Sequence, residues 1–175
     1  MYRFFLFKNY KNLLRFVYFL TRITQRIVLK MTRQPFVVEA LEEKKEISID
    51  GVTLKTVVDR IDRLPEGGLM IIDYKTGDAK VTKWIGERPD DPQLPIYAVA
   101  HKNEISALAF ARVRRGDLAF SGVARKEGFA PHVHRPNEKL FETNDWGKLI
   151  EQWEAIQLKL MKDFKGGKAE VDPHK

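Results

Sequence analysis

The sequence predicts an α/β fold, a mixed central β-sheet flanked by helices. Three observations carry that expectation. From Pro35 to Ile61 apolar and polar residues alternate as they do in half-buried strands. "LMIIDYK", Leu69 to Lys75, is instead a continuous apolar run that ends in charge, as in a strand covered on both faces. Two later stretches, around residues 91–102 and 145–164, combine helical spacing with helix-start residues. Strands, helix, strands, helix in that order build a layered domain.

Residues 1–33 form a separate basic segment. The spacing predicts an amphipathic helix over about residues 10–30, with Leu13, Val17, Leu20, Thr24 and Ile27 on one face. That face needs a partner, either the rest of the domain or a membrane surface. Packing is favoured, because the segment runs without a linker into "RQPFVVEALEE". Its longest apolar runs, "FFLF" and "FVYFL", are far below the eighteen or so residues of a spanning helix, so stable membrane insertion is not expected. Neither is a secretory signal, which places the chain in the cytoplasm.

The second region, residues 34–175, carries the strands. "PFVVEAL", "KEISID" and "VTLKTVVDRID" are strand segments, with a hairpin turn at Asp50-Gly51. "LPEGG" makes the next turn and leads into "LMIIDYK". In "DDPQLPIYAVAHK", Asp91 is the expected helix cap, Pro92 suits the first helical position, and Pro95 stays within the first turn. "ISALAFARVRRGDLAFSGVARKEG" is a second hairpin turning at Arg115-Gly116-Asp117. The last helix, about Asp145 to Phe164, puts Trp146, Leu149, Ile150, Trp153, Ile156, Leu160 and Phe164 on its apolar face. Thr143 or Asn144 is its expected cap, and Gly166-Gly167 ends it.

Composition narrows the chemistry. Without cysteine there is no disulfide framework, thiolate zinc site, iron–sulfur cluster or cysteine nucleophile. The pair in "HVH", His132 and His134, falls in a Gly/Pro-flanked loop and reads as solvated rather than metal-binding. The net charge of +7 is misleading. Residues 1–35 hold eight basic side chains and no acid, which leaves the remainder one charge negative. The basic total therefore says little about a nucleic-acid surface on the second region.

The chemistry gathers on "VVDRIDRLPEGGLMIIDYKTG", Val57 to Gly77. Charges at the end of a buried strand cost free energy unless they are paired or hold a metal. Across the "LPEGG" turn, Asp59 and Asp73 lie on adjacent strands, which are under about 5 Å apart, and can share a divalent cation. Asp73 and Lys75 are two apart, so both project from one face. A hard cation on oxygen ligands suits phosphate substrates, and a neighbouring lysine can orient or help deprotonate the attacking water or neutralise developing charge. The implied reaction is metal-assisted phosphodiester hydrolysis. The competing reading is a salt-bridged surface hairpin, with Asp73 paired to Lys75 or Arg60. Downstream, Gln93 and Tyr97 of "QLPIY" share a helix face, and core packing gives no reason for a glutamine at 93.

Taken together, "DRID…DYKTG…QLPIYA" resembles the RecB-type nuclease domain of the PD-(D/E)xK superfamily, the form found at the C-terminus of AddB-like recombination and repair proteins. The resemblance runs from about Pro35 to Pro173. It implies a restriction-endonuclease-like core, and nuclease action on DNA with Mg²⁺ or Mn²⁺ in recombinational repair, beside a helicase-nuclease partner subunit. It also implies Asp59, Asp73 and the Tyr74 carbonyl as metal ligands and Lys75 as the catalytic lysine. Gln93 and Tyr97 would be the helical motif that supports the site and contacts the DNA strand.

Three departures accompany the resemblance. No His precedes His101, so the upstream metal-ligating His of the family is missing. Thr56 stands where relatives usually carry a Gly, three residues before the acid. The chain stops at "VDPHK", where many relatives continue into an iron–sulfur cysteine cluster. These suggest a truncated piece of a longer repair protein, and with it the alternative of a catalytically inactive nuclease fold retained for DNA binding or for holding its partner. Glu42 is either the acid that relatives place before their first strand or a solvated charge. Arg112, Arg114 and Arg115 are candidates for phosphate contact. Trp84 suits core packing better than base stacking.

Overall fold

The computed structural model describes residues 33–114 and 117–168 of the 175. The amphipathic segment expected over residues 10–30, and Arg115, lie outside the described residues. Six strands form one mixed sheet in sequence order: β1 (Val37–Ile49), β2 (Val52–Arg63), β3 (Leu69–Lys75), β4 (Ile105–Arg114), β5 (Asp117–Ala124) and β6 (Val133–His134). The predicted α/β architecture is the observed one. β1, β2 and β3 are antiparallel neighbours, β3 and β4 are parallel, β4 and β5 antiparallel, and β5 and β6 parallel.

Local chemistry explains the joins. At Asp50 and Gly51 φ is 49° and 77°, the double left-handed geometry of a tight hairpin, which Asp and Gly tolerate best. The parallel step from β3 to β4 passes through a 3₁₀ turn (Val81–Trp84) and helix α1 (Gln93–Ala100). A one-turn helix, α2 (Glu138–Phe141), precedes the long helix α3 (Trp146–Lys165). Asp145 caps α3 by accepting a bond from the Lys148 amide; of the two expected caps, Thr143 accepts from the Asp145 amide and Asn144 donates to Glu138 instead. Gly166 closes the helix as anticipated.

Each face of the sheet has its own core. Leu94, Tyr97 and Ala98 of α1 join Leu149, Ile150 and Trp153 of α3 against Ile47, Ile61, Ile71 and Phe110. Trp84 sits at the centre of this layer with its ring 4.8 Å from that of Phe110, and its carbonyl accepts from the Trp153 indole at 3.1 Å. It is therefore a core residue, as its position suggested. The opposite face packs Met70, Ile72, Ala107, Ala109 and Phe120 with Leu64, Phe129 and Val133. β3 is thus buried on both sides, which accounts for its unbroken apolar run.

Two sequence expectations for the last helix fail. Phe164 is 70% exposed, and Gln157 is buried while Leu160 is only partly so. The last residue of α3, Lys165, reaches the Asp50 carbonyl at the β1–β2 turn at 3.0 Å, and Phe164 beside it stays exposed. Periodicity reports which residues share a face, not where the partner surface ends.

Candidate active site

The site lies at the C-terminal end of β3 on the helix-covered face. β2 and β3 pair from Arg63↔Leu69 to Arg60↔Ile72; one more step would set Asp59 opposite Asp73. There the ladder is replaced by a side chain: Asp59 Oδ2 accepts from the Tyr74 amide at 2.8 Å. A charged acceptor on a main-chain donor locks the carboxylate at the end of the hairpin.

β2 changes phase at this point. Leu54 and Val58 pack with the helix-side core, and so does Ile61, three residues on. Arg60 and Asp62 consequently turn to the other face, where Arg60 donates to Asp62 at 2.6 Å and to the Tyr74 hydroxyl at 3.3 Å. On β1 the register slips between Val38 and Ala40, and a second departure from regular strand lies opposite Asp59. Pairing passes from Leu41↔Arg60 to Glu43↔Val58, and the intervening Glu42 has φ 52°. A non-glycine residue in the left-handed region marks a local device rather than regular strand. Glu42 thus lies inside β1, directly across from Asp59, and not ahead of the first strand.

Asp73 is 6% exposed. Its Oδ2 has the Lys75 ammonium at 2.8 Å as an ion pair, yet no hydrogen bond of good direction reaches that sealed oxygen. Burial pushes its pKa up; Lys75 opposes the shift, and the nearby charges of Asp59 and Asp91 add to it. Lys75 itself bridges two acids, Asp73 and Asp91, each at 2.8 Å. Burial disfavours its charge, but the two carboxylates outweigh that and hold its pKa above the ordinary lysine value. It stands as an ammonium 5.3 Å from the centre of the Phe110 ring.

Asp91 is the residue that sequence reasoning assigned to another task. Pro92 occupies the cap of α1, and no side chain caps that helix. Asp91 points instead to Lys75. An ion pair between residues sixteen apart leaves no local signature; the clue in the sequence was a second acid, Asp90, beside it, which made one of the two redundant as a cap. Of the competing hairpin reading, the Asp73–Lys75 pair is real, but Arg60 goes to Asp62 on the other face.

The α1 pair divides. Gln93 Nε2 donates to the Val57 carbonyl at 2.8 Å, tying the helix to β2 two residues ahead of Asp59. Tyr97 is 1% exposed and packs in the core, its phenol pKa raised by burial, with Thr56 opposing and Glu43 adding. Contact with a DNA strand, which the resemblance implied, is closed to a side chain so covered; its place is beneath the site. Arg112 pairs with Lys75 in the β3–β4 register and is half-buried on the same face, while Arg114 is exposed at the end of β4. His132 and His134 are exposed, His134 lying 3.0 Å from Glu127.

The donor set suits a hard divalent cation. Asp59 and Asp73 bring carboxylate oxygen from neighbouring strands, where the β2–β3 ladder ends, and the Asp73 oxygen is buried without a directed donor. Among the described residues no three His, Cys, Asp or Glu side chains gather closely enough to form a metal cluster by themselves. Two carboxylates with a main-chain carbonyl and several retained waters are what Mg²⁺ ordinarily accepts.

The family model of the PD-(D/E)XK nuclease superfamily matches residues 10–175. No curated protein matches the chain. Among solved structures, one described as "Crystal structure of SSO0001" is similar at 16% identity and a TM-score of 0.42. The match covers 88% of this chain and 62% of that one, so the chain spans less than two thirds of its length.

Proposed function

Because the chain belongs to the PD-(D/E)XK nuclease superfamily, we propose that it is a metal-dependent DNA nuclease domain of RecB-like type, acting in recombinational DNA repair beside a helicase-nuclease partner. One observation supports this above the rest: Asp59 and Asp73 sit on neighbouring strands where the β2–β3 ladder ends, with Lys75 alongside, and Asp73 keeps a buried oxygen short of a directed donor. The ordered "DRID…DYKTG…QLPIYA" motifs support the finer assignment.

In this reading Asp59, Asp73 and the Tyr74 carbonyl hold Mg²⁺ or Mn²⁺. When bound there, such an ion neutralises phosphoryl charge and acidifies a water. The chain's own residues do the remaining work. Lys75, kept as an ammonium, faces the phosphate and stabilises charge that builds in the transition state. Asp91 holds the Lys75 side chain against the catalytic strand, and the Tyr74 amide fixes the rotamer of Asp59. Gln93 sets the spacing between α1 and β2, and Arg112 and Arg114 contact the phosphate backbone.

A second reading has its own support. Lys75 is already closed onto Asp73 and Asp91, and such a self-paired cluster also fits a nuclease fold that only binds DNA or a partner. One experiment separates the two: cleavage of linear single- and double-stranded DNA with Mg²⁺ or Mn²⁺ by this chain, by Asp73→Ala and by Lys75→Ala. Cutting that needs the metal and falls about 10²–10³-fold or more in both variants supports the enzyme. DNA binding by a folded chain without any cutting favours the second reading.

A further inference from the structure

One strand beyond Lys75 the same face opens into a recess of about 310 Å³, lined by Ala79, Lys80, Arg112, Ala119, Phe120, Ser121 and His132. We propose that this recess is a phosphate subsite, seating a second phosphate of the strand whose scissile phosphate lies at Asp73 and Lys75. The inference rests on the nuclease reading and names which part of the substrate lies beside the reacting group.

Its chemistry and its place both point that way. Lys80 and Arg112 are the charged groups in its wall, both cationic, and Ser121 and His132 add further hydrogen-bonding groups. Among the described residues no acid lines it; Asp78 lies outside the wall and meets Lys80 at 3.5 Å. The position follows from the sheet. Lys75 pairs with Arg112 across β3 and β4, and Arg112 pairs with Ala119 across β4 and β5. Residues in register on neighbouring strands are about 5 Å apart and share a face. Arg112 is therefore next to Lys75, on the side away from Asp59. A nucleic-acid strand crossing the ends of β2, β3 and β4 meets the two acids, then Lys75, then this recess.

The walls come from four places: the loop after β3, the strands β4 and β5, and the loop carrying His132, whose carbonyl accepts from the Gly122 amide at 3.1 Å. Arg112 is half-buried on a strand, and a planar guanidinium carried by a rigid strand suits phosphate. The occupant is a phosphate oxyanion, carried either by an internal diester or by a strand terminus.

The test uses the full chain, Arg112→Ala, the double variant Lys80→Ala/Arg112→Ala, and Arg112→Lys. Binding is measured by anisotropy with Ca²⁺, and cleavage with Mg²⁺. Substrates are one oligonucleotide carrying a 5′-phosphate, a 3′-phosphate or hydroxyl ends, and a circular single strand. The double variant should weaken binding about 10-fold or more, raise KM more than it lowers kcat, and reduce the salt slope of binding by about one phosphate's worth, roughly 0.7. Arg112→Lys should recover part of the binding. An equal loss on every substrate assigns the recess to an internal phosphate, and a loss confined to one phosphorylated end assigns it to that terminus. Wild-type affinity and salt slope in a folded double variant, with wild type still cutting, would overturn the subsite alone. A wild-type chain that neither binds nor cuts DNA overturns the nuclease reading with it.

Discussion

The two faces of the β2–β3 hairpin each carry a buried cluster of charge, built from adjacent residues and finished in opposite ways. On the sheet face away from the helices, Asp62 is fully buried and both its oxygens are used, one by Arg60 and the other by Arg33. Arg33 also lies 4.2 Å over the Phe36 ring, and Arg60 reaches the Tyr74 hydroxyl. On the helix face Asp73 has, among the described residues, one ion-pair partner, Lys75, through a poorly directed contact, and its pKa is raised. A buried carboxylate with both oxygens bonded serves the fold, even though Arg33 Nε in the same cluster is left without a partner. A buried charge left short, beside an accessible ammonium, is placed for something that arrives.

The sharpest way to break this comparison is to remove the acid from each side. Asp62→Ala leaves two guanidinium groups without their shared carboxylate, and losing one partner of a buried pair costs about 3–5 kcal/mol. Thermal unfolding should then begin about 10 °C lower or more. Asp73→Asn should do the reverse. The folded state holds the Asp73 proton more tightly than the unfolded chain, so this group favours folding at low pH. That contribution is lost as pH rises from the ordinary carboxylate range through the raised folded pKa. At neutral pH its charge is a net cost, and Asn should raise the unfolding midpoint slightly, by up to ~1 kcal/mol or about 2–4 °C, while abolishing cleavage. If both substitutions destabilise alike, the functional distinction between the faces is wrong.

Asp91 sharpens the picture within the site. Asp91→Asn removes one of the two carboxylates that hold Lys75, and also a negative charge that raises the Asp73 pKa. Cleavage should fall about 10-fold, with overall stability changed by less than about 0.5 kcal/mol. The acid limb of the pH–rate profile should move to lower pH, because Asp73 loses a like-charged neighbour. A structural role for Asp91 would lower stability and leave that limb where it was.

How much of this was legible follows from what leaves a local trace. The Asp50-Gly51 turn, the doubly buried β3 and the start and stop of α3 were readable because backbone preference and near-neighbour spacing decide them. β6 and α2, two and four residues long, are too short to show any period, and only tertiary packing holds them. Asp59, Asp73 and Lys75 were readable as a group because one short turn forces them together. Asp91 was not, since its partner lies on another element and a proline beside it took the cap. The phase change of β2 was written in plain view. Val52, Leu54 and Val58 keep an even spacing that Ile61 breaks, and the break falls on Asp59.

The smallest expected effect tests how the fold transmits order to the site. Gln93 donates to the Val57 carbonyl from a partly exposed position, and Val57 is itself 43% exposed. Water can replace that bond, so Gln93→Ala should cost only about 0.5–1 kcal/mol in stability. Its effect on catalysis should be larger than that figure alone conveys, because the carbonyl lies two residues before Asp59, where β2 has left its ladder with β3. Asp59 is steadied there by its own bond to the Tyr74 amide and by the position of the strand behind it. A fall in kcat of about three- to ten-fold, with KM for DNA little changed, is the expected outcome. A rise in KM with kcat intact would instead put Gln93 on the nucleic acid. Equal stability and equal kcat would mean that the Tyr74 amide holds Asp59 without help from α1.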